Sequence, residues 1–466
     1  MNTVKLYIQL YPELTVMKRI NFKSALLSNG WAKNVAIDID ENGLITSITS
    51  NQEGEGDWIS GYALPGVNNV HSHAFQRAMA GLAEYSTSRD DSFWTWRDIM
   101  YRFAGKISAE DLEVIASQLY MEMLKAGYIS VSEFHYLHRE GEDSLAMSNA
   151  IIGAASSVGI ALCHLPVLYM ASGFGGQPLT EGQTRFCHDV ESFLKLQKIL
   201  SNQLINTRSQ HVGMAFHSLR AVPEDALKEV VAAQLTGPTH IHISEQVKEV
   251  NECLSWSGKR PVEWLYDHAN VNENWCLIHA THLSEDEVSM IARSGAVVGL
   301  CPTTEANLGD GLFPLANFLN QNGAIALGSD SHISVSVSEE LRLLEYGQRL
   351  KYLGRNIAAN DEEAHTGTRL YKDCLRGGAK ASGFENGAIA IGKRADLIVL
   401  DEHSPVLVGT PDRSIIDRFI FNGNQNPIKH VMVAGEMVIN NYKHKNEQQI
   451  KSDFAETMMK LKKLLD

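Results

Sequence analysis

From Pro65 onward one pattern recurs eight times: a short apolar run rich in β-branched residues, then a stretch with helical spacing. The runs are VNNVHSH, YISVSEFHY, IALCHLPVLY, HVGMAFHSLR, THIHISE, NWCLIHATH, AVVGLCPTT and AIALGSDSH. Strands that read as near-continuous apolar runs are those covered on both faces, the condition inside a parallel sheet. Eight of them, each followed by a helix, predict a closed (β/α)8 TIM barrel of the α/β class. The intervening segments fit: in SAEDLEVIASQLYMEMLKAG, Ser108 and Asp111 predict a capping box, Leu112, Ile115, Leu119 and Met123 line one face, and Gly127 supplies the stop.

The flanks follow a different rule. KNVAIDIDENGLITSITS near the start, and GAIAIGKRADLIVLDEHS and HVMVAGEMVINN near the end, are short strands joined by Gly, Asn and Asp turns, the pattern of antiparallel sheet. Both ends are therefore expected to combine into one small β-sandwich domain (residues 1–64 and 385–466), with the barrel (residues 65–384) inserted between them. The tail from Lys443, rich in Lys and Glu, is expected to be a surface helix.

Charge and composition narrow the class of partner. The excess of 55 Asp and Glu over 41 Lys and Arg gives a net charge of −14, which disfavours a nucleic-acid or anionic-membrane surface. No apolar run reaches the length of a bilayer span, and the N-terminal residues lack a signal-peptide cleavage site, so a cytoplasmic location is expected. The six cysteines are scattered without a CxxC pair, which argues against a disulfide framework or a cysteine zinc site.

Barrel enzymes carry their chemistry at the C-terminal ends of the strands. His71 and His73 end the first run, two apart and so able to converge on one point; His242 ends the fifth, His279 the sixth and Asp330 the eighth. Each alone could cap a helix or bind a loop, but together they predict a metal site. Neutral imidazoles with a carboxylate suit Zn²⁺ and leave a position open for water. Glu245, three residues after His242, is placed to carry a proton to a leaving group, although an acid there would also suit a helix N-terminus.

In these features the chain resembles the amidohydrolase superfamily: HxH on the first strand, HxxE on the fifth, His after the sixth, Asp after the eighth, and a β-domain from both termini. For the mononuclear deaminase branch the resemblance implies one zinc per chain on His71, His73, His242 and Asp330. It further implies that Glu245, His279 and Asp330 activate the attacking water and polarise the substrate. The binuclear branch draws a carboxylated lysine from the fourth strand, where this chain reads MAFHSLR, which favours one metal. The stretches HSHAFQRAMAGLAE, SFWTWRDIMY, SEFHYLH, HSLRAV and HIHISEQ resemble a smaller family within it. Its members are the deiminases of histidine degradation, which hydrolyse the formimino C=N of N-formimidoyl-L-glutamate to N-formyl-L-glutamate and ammonia. By this resemblance Gln76, Arg97, Tyr136, His217 and Arg220 contact the substrate.

A dicarboxylate substrate needs fixed cations, and arginine supplies a planar bidentate fork; Arg220 follows the fourth strand and Arg97 lies on the long loop after the first. Blander roles exist for each residue. Arg97 could stack on tryptophan or pair with Asp98, Tyr136 could be a packed aromatic, and His217 a hydrogen-bonded strand end. The aromatic segment SFWTWRDIMYRF could be a lid or a contact with a second subunit, and a homodimer is expected. Two other functions compete: a ring-opening amidohydrolase acting on an imidazolone or hydantoin, which the paired arginines and missing lysine disfavour, and a non-catalytic metal-binding scaffold, which Glu245 and His279 beside the ligands disfavour.

Overall fold

The computed structural model describes residues 18–52, 57–82, 84, 93–138 and 145–465. Near the N-terminus, β1 (Lys18–Leu27), β2 (Gly30–Ile39), β3 (Ile45–Thr49) and β4 (Trp58–Pro65) precede the barrel. All eight apolar runs then form parallel strands: β5 (Val67–Ser72), β6 (Tyr128–His135), β7 (Ala161–Leu168), the fourth as two pieces β8 (Gln210–Val212) and β9 (Met214–Ser218), β10 (Thr239–Ile243), β11 (Trp275–His279), β12 (Val297–Leu300) and β13 (Ala324–Leu327). Pairing runs β6-β5-β13-β12-β11-β10-β9-β7, and β6 also pairs with β7, so the barrel closes. The fourth strand is interrupted at Gly213, where no side chain would fit. A Cβ there would lie 2.6 Å from the Pro238 carbonyl oxygen and 2.7 Å from the Leu165 side chain.

After the barrel come β14 (Leu397–Leu400), β15 (Ile428–Val433), β16 (Glu436–Asn440) and β17 (Lys443–His444). They join β1–β4 in one sheet of order β17-β16-β15-β14-β4-β1-β2-β3, antiparallel except between β1 and β4. Strands from both ends of the chain thus share one β-domain. The seam is β14 beside β4, where Leu397 lies opposite Pro65, the residue that leads into the barrel. The C-terminal helix begins at Glu447 rather than Lys443, because Lys443–His444 first pair with β16. It docks on the helix Ala109–Lys125 through Lys460 to Asp111, at 2.7 and 2.9 Å, and Lys125 to Glu447 at 2.9 Å.

The helix Ala109–Lys125 starts with the expected reciprocal cap, Asp111 N–H to Ser108 Oγ at 3.1 Å and Ser108 N–H to Asp111 Oδ2 at 3.2 Å. Leu112, Ile115, Leu119 and Met123 on its inner face are fully buried. A smaller apolar cluster takes Val70, Cys276, Ile278, Val297 and Ala326 from β5, β11, β12 and β13, so the barrel is a filled core with room for chemistry only at its end. Among the described residues no helix is long and apolar enough to cross a membrane.

Buried histidines outside the strand ends make stability pH-dependent. Burial pushes His164 down to about 3 and His211 down to about 4; their rings bond Ser148 Oγ at 3.1 Å and the Ser382 carbonyl at 2.8 Å. Below pH ~6.5 the unfolded chain binds protons that these folded rings refuse, so stability present above pH ~6.5 is lost as pH falls toward 4, on the order of 3 kcal/mol per ring. Denaturant midpoints measured from pH 7 to 4 are expected to fall steeply. His211→Gln, which keeps an N–H for Ser382 and cannot take up a proton, should flatten that slope.

Candidate active site

The site is assembled at the C-terminal ends of β5, β10, β11 and β13, and backbone contacts set its spacing before any side chain is considered. Gly328 lets β13 press against β5: a Cβ there would meet the His71 Cβ at 2.7 Å and the Cys301 Sγ at 2.8 Å. Past that contact the Asp330 N–H donates to the His71 carbonyl at 3.0 Å, and the His73 N–H donates to the Asp330 carbonyl at 3.2 Å. Ser244, His279, Ala280, Asp330 and His332 all have positive φ, between 45° and 67°. Residues with side chains adopt that region reluctantly, and its concentration at these strand ends marks a place where surrounding structure enforces the geometry.

His71, His73 and His242 each present one ring nitrogen, the three mutually within 4.8 Å. The His71 and His242 Nε2 atoms are 2.9 Å apart, and Asp330 Oδ1 lies 3.4 Å from His71 Nε2 and 3.3 Å from His73 Nε2. Two of the rings have a defined tautomer. His73 Nδ1 donates to the Phe134 carbonyl at 3.0 Å and His242 Nδ1 to the His217 carbonyl at 2.9 Å, which leaves each Nε2 with its lone pair toward the cluster. Burial, then mutual repulsion among the rings, holds His71 and His242 well below the usual histidine range; burial also lowers His73 against the pull of Asp330. Neutral, buried, convergent imidazoles with one carboxylate are a donor set that fits a divalent cation.

Beside this cluster stand two groups suited to proton transfer. Glu245 is pushed up to about 7, chiefly by burial and then by Asp330 and Glu249, so it can both take and give a proton near neutrality. Burial opposes a charge on His279, but Glu245, the hydrogen bond to Glu305 and Asp330 outweigh it and lift the ring to about 10. His279 Nε2 is 3.8 Å from Glu245 Oε1 and 3.7 Å from Asp330 Oδ2. These gaps exceed hydrogen-bond length and leave room for a reacting atom among the three.

The five residues expected at the substrate all line the same cavity. Gln76 Nε2 donates to Tyr136 Oη at 2.9 Å, while the buried Gln76 Oε1 has no hydrogen-bond partner among the described residues. The His217 ring packs edge-on against Tyr169 at 4.5 Å, and Arg220 and Arg97 both help hold it neutral, after burial. Arg97 is not on a loop: it sits in the helix Phe93–Ala104, which occupies part of the β5–β6 connection, with its guanidinium 5.4 Å over the Tyr101 ring four residues on. The side chains of Trp94, Trp96 and Asp98, and hence the tryptophan stacking, the Asp98 pairing and much of the aromatic lid, lie outside the described residues.

Several buried groups here escaped the sequence reading. Glu249 accepts the Ser244 and Glu245 N–H groups, both at 3.1 Å, and so fixes the backbone that carries Glu245. Glu305 contacts His279. Glu133 accepts from Ser72 Oγ and the Ala74 N–H, both at 2.6 Å, and from Tyr120 Oη at 3.1 Å, bracing the strand end between the two first-strand histidines. Glu249 and Glu305 read in sequence as ordinary first-turn helix acids. Only Glu133, a charged residue inside the apolar run YISVSEFHY, carried a signal that could have been followed.

Barrel, end-on histidine and aspartate cluster and shared β-domain together define an amidohydrolase, and the chain belongs to that family: the amidohydrolase family pattern matches residues 62–438. It is a hydrolase acting on a C–N bond. Within the family it is 48% identical over 452 residues to the formimidoylglutamate deiminase of Pseudomonas aeruginosa, covering 96% of this chain and 100% of that one, which bears out the closer resemblance read from the motifs. A 5-methylthioadenosine/S-adenosylhomocysteine deaminase of Natronomonas pharaonis is 24% identical over 81% of each chain. The crystal structure of an amidohydrolase from Brucella melitensis superposes with a TM-score of 0.90 at 41% identity, covering 95% of this chain and 99% of that one. An adenosine deaminase from Xanthomonas campestris, at 18% identity and a TM-score of 0.78, shares the fold.

Proposed function

We propose that this chain hydrolyses N-formimidoyl-L-glutamate to N-formyl-L-glutamate and ammonia, a cytoplasmic step of histidine degradation, with one zinc ion on His71, His73, His242 and Asp330. The observation that carries the reading is one cavity in which the histidine and aspartate cluster meets Arg97, Arg220 and the unsatisfied acceptor Gln76 Oε1. Its similarity to the deiminase of Pseudomonas aeruginosa points the same way.

A zinc ion there would lower the pKa of a water and polarise the formimino group. The chain's own residues supply the rest. Arg97 and Arg220 hold the two carboxylates of the glutamate portion, and Gln76 Oε1 accepts an N–H of the formimino group. Those contacts place the formimino carbon in the gap bounded by Glu245, His279 and Asp330. Water oxygen bonds to that carbon as Glu245 takes one of its protons and delivers it to the terminal nitrogen; Glu245 then passes the remaining hydroxyl proton to the same nitrogen, so that the C–N bond breaks with release of ammonia as the C=O bond forms. His279 Nε2 faces the developing charge as a hydrogen-bond donor.

An ammonia-release assay over a panel of formimino, guanidino and cyclic amide compounds tests the reading. Turnover is expected for N-formimidoyl-L-glutamate with a carboxylate at each end. Ring opening of a cyclic amide without free ammonia, or no turnover of the formimino compound by metal-loaded protein, would overturn it. His242→Ala is expected to lose the metal, measured as about one divalent ion per parent chain by elemental analysis, because no other side chain replaces its ligand.

A further inference from the structure

Glu305 makes two contacts that converge on one oxygen. Its Oε1 lies 3.2 Å from His279 Nδ1 and 2.8 Å from the Cys301 N–H. A carboxylate can only accept, so the proton of the His279 contact is on Nδ1. The carboxylate is buried, on the short helix Pro302–Leu308 that follows β12, on the side of the ring away from Glu245 and Asp330. His279 Nε2, by contrast, stands 3.8 Å from Glu245 and 3.7 Å from Asp330, beyond hydrogen-bond length of either. One edge of the imidazole is anchored and the other is left for the reacting group.

We infer that Glu305 is a positioning residue for His279. It keeps a proton on Nδ1, sets the plane of the ring, and so aims Nε2 at the reacting group. This is the acid–imidazole arrangement of hydrolytic triads, in which the acid acts through the ring and not on the substrate. The inference rests on the proposed reaction for its kinetic consequence, but the Nδ1–H contact it assigns exists without substrate. Glu305 does not line the cavity that holds Arg97, Arg220 and Gln76, so substrate binding should survive its loss.

The test uses metal-loaded protein and the variants Glu305→Ala and Glu305→Gln. Alanine removes the acceptor; glutamine keeps an oxygen for both donors and removes the charge. With N-formimidoyl-L-glutamate, Glu305→Ala is expected to lower kcat by roughly 10²-fold with KM within about threefold and metal content unchanged, and Glu305→Gln to recover most of that loss. In ¹⁵N–¹H spectra of the substrate-free protein, the Nδ1–H signal of His279, assigned by its absence in His279→Asn, should persist in the parent and the glutamine variant and vanish in the alanine variant. The inference is overturned if Glu305→Ala keeps kcat within threefold, if its Nδ1–H signal persists, or if both variants lose activity equally together with metal or melting temperature. A parent protein that releases no ammonia would defeat the proposed reaction instead, and the spectra would still decide the role of Glu305.

Discussion

Glu245→Gln is expected to lower turnover of N-formimidoyl-L-glutamate by about 10²-fold or more while the protein keeps its metal and its fold. The substitution preserves shape and removes the one acid beside the reacting gap that burial has tuned to about 7. The backbone that presents it is held independently, because Glu249 accepts the Ser244 and Glu245 N–H groups, so the amide side chain should occupy the same place. Elemental analysis and a melting curve on the same sample separate the possible outcomes. Loss of metal would reassign Glu245 as a ligand, and near-parental turnover would move proton transfer to another group, with His279 the nearest alternative at 3.8 Å.

Arg220→Ala and Arg97→Ala should each cut kcat/KM for N-formimidoyl-L-glutamate by roughly 30-fold to several thousand-fold, the scale of about 2–5 kcal/mol for removing one partner of a desolvated charge pair. Both residues line the cavity and neither belongs to the histidine and aspartate cluster, so neither loss should disturb it. The discriminating measurement pairs each variant with formimino compounds bearing one carboxylate. Such compounds should be poor substrates of the parent and comparatively insensitive to one of the two substitutions, whereas a general folding defect would depress every substrate alike. Parental efficiency in both variants would remove the dicarboxylate from the proposal and leave an unspecified hydrolase of this family.

Much of this protein was legible in its sequence, and the reason is local. Eight apolar runs with helical intervals admit few closed architectures, so the barrel followed from periodicity; even the break in HVGMAFHSLR sits at its glycine. His71, His73, His242, His279 and Asp330 stood out because polar residues ending apolar strands are conspicuous, and barrel topology obliges such ends to meet. What local pattern could not supply is which second residue each of these touches. Glu305 reads as a helix acid until β11 and β12 are set side by side, and Glu249 likewise until Ser244 turns into positive φ. The pairing of β4 with β14, more than 300 positions apart, and the orphaned oxygen of Gln76 are decided the same way. Chain order determined the strands, the helices and the inventory of reactive groups. Burial and long-range hydrogen bonding, which depend on every element packing at once, decided the tautomers, the protonation of Glu245 and His279, and the direction in which the reactive groups face.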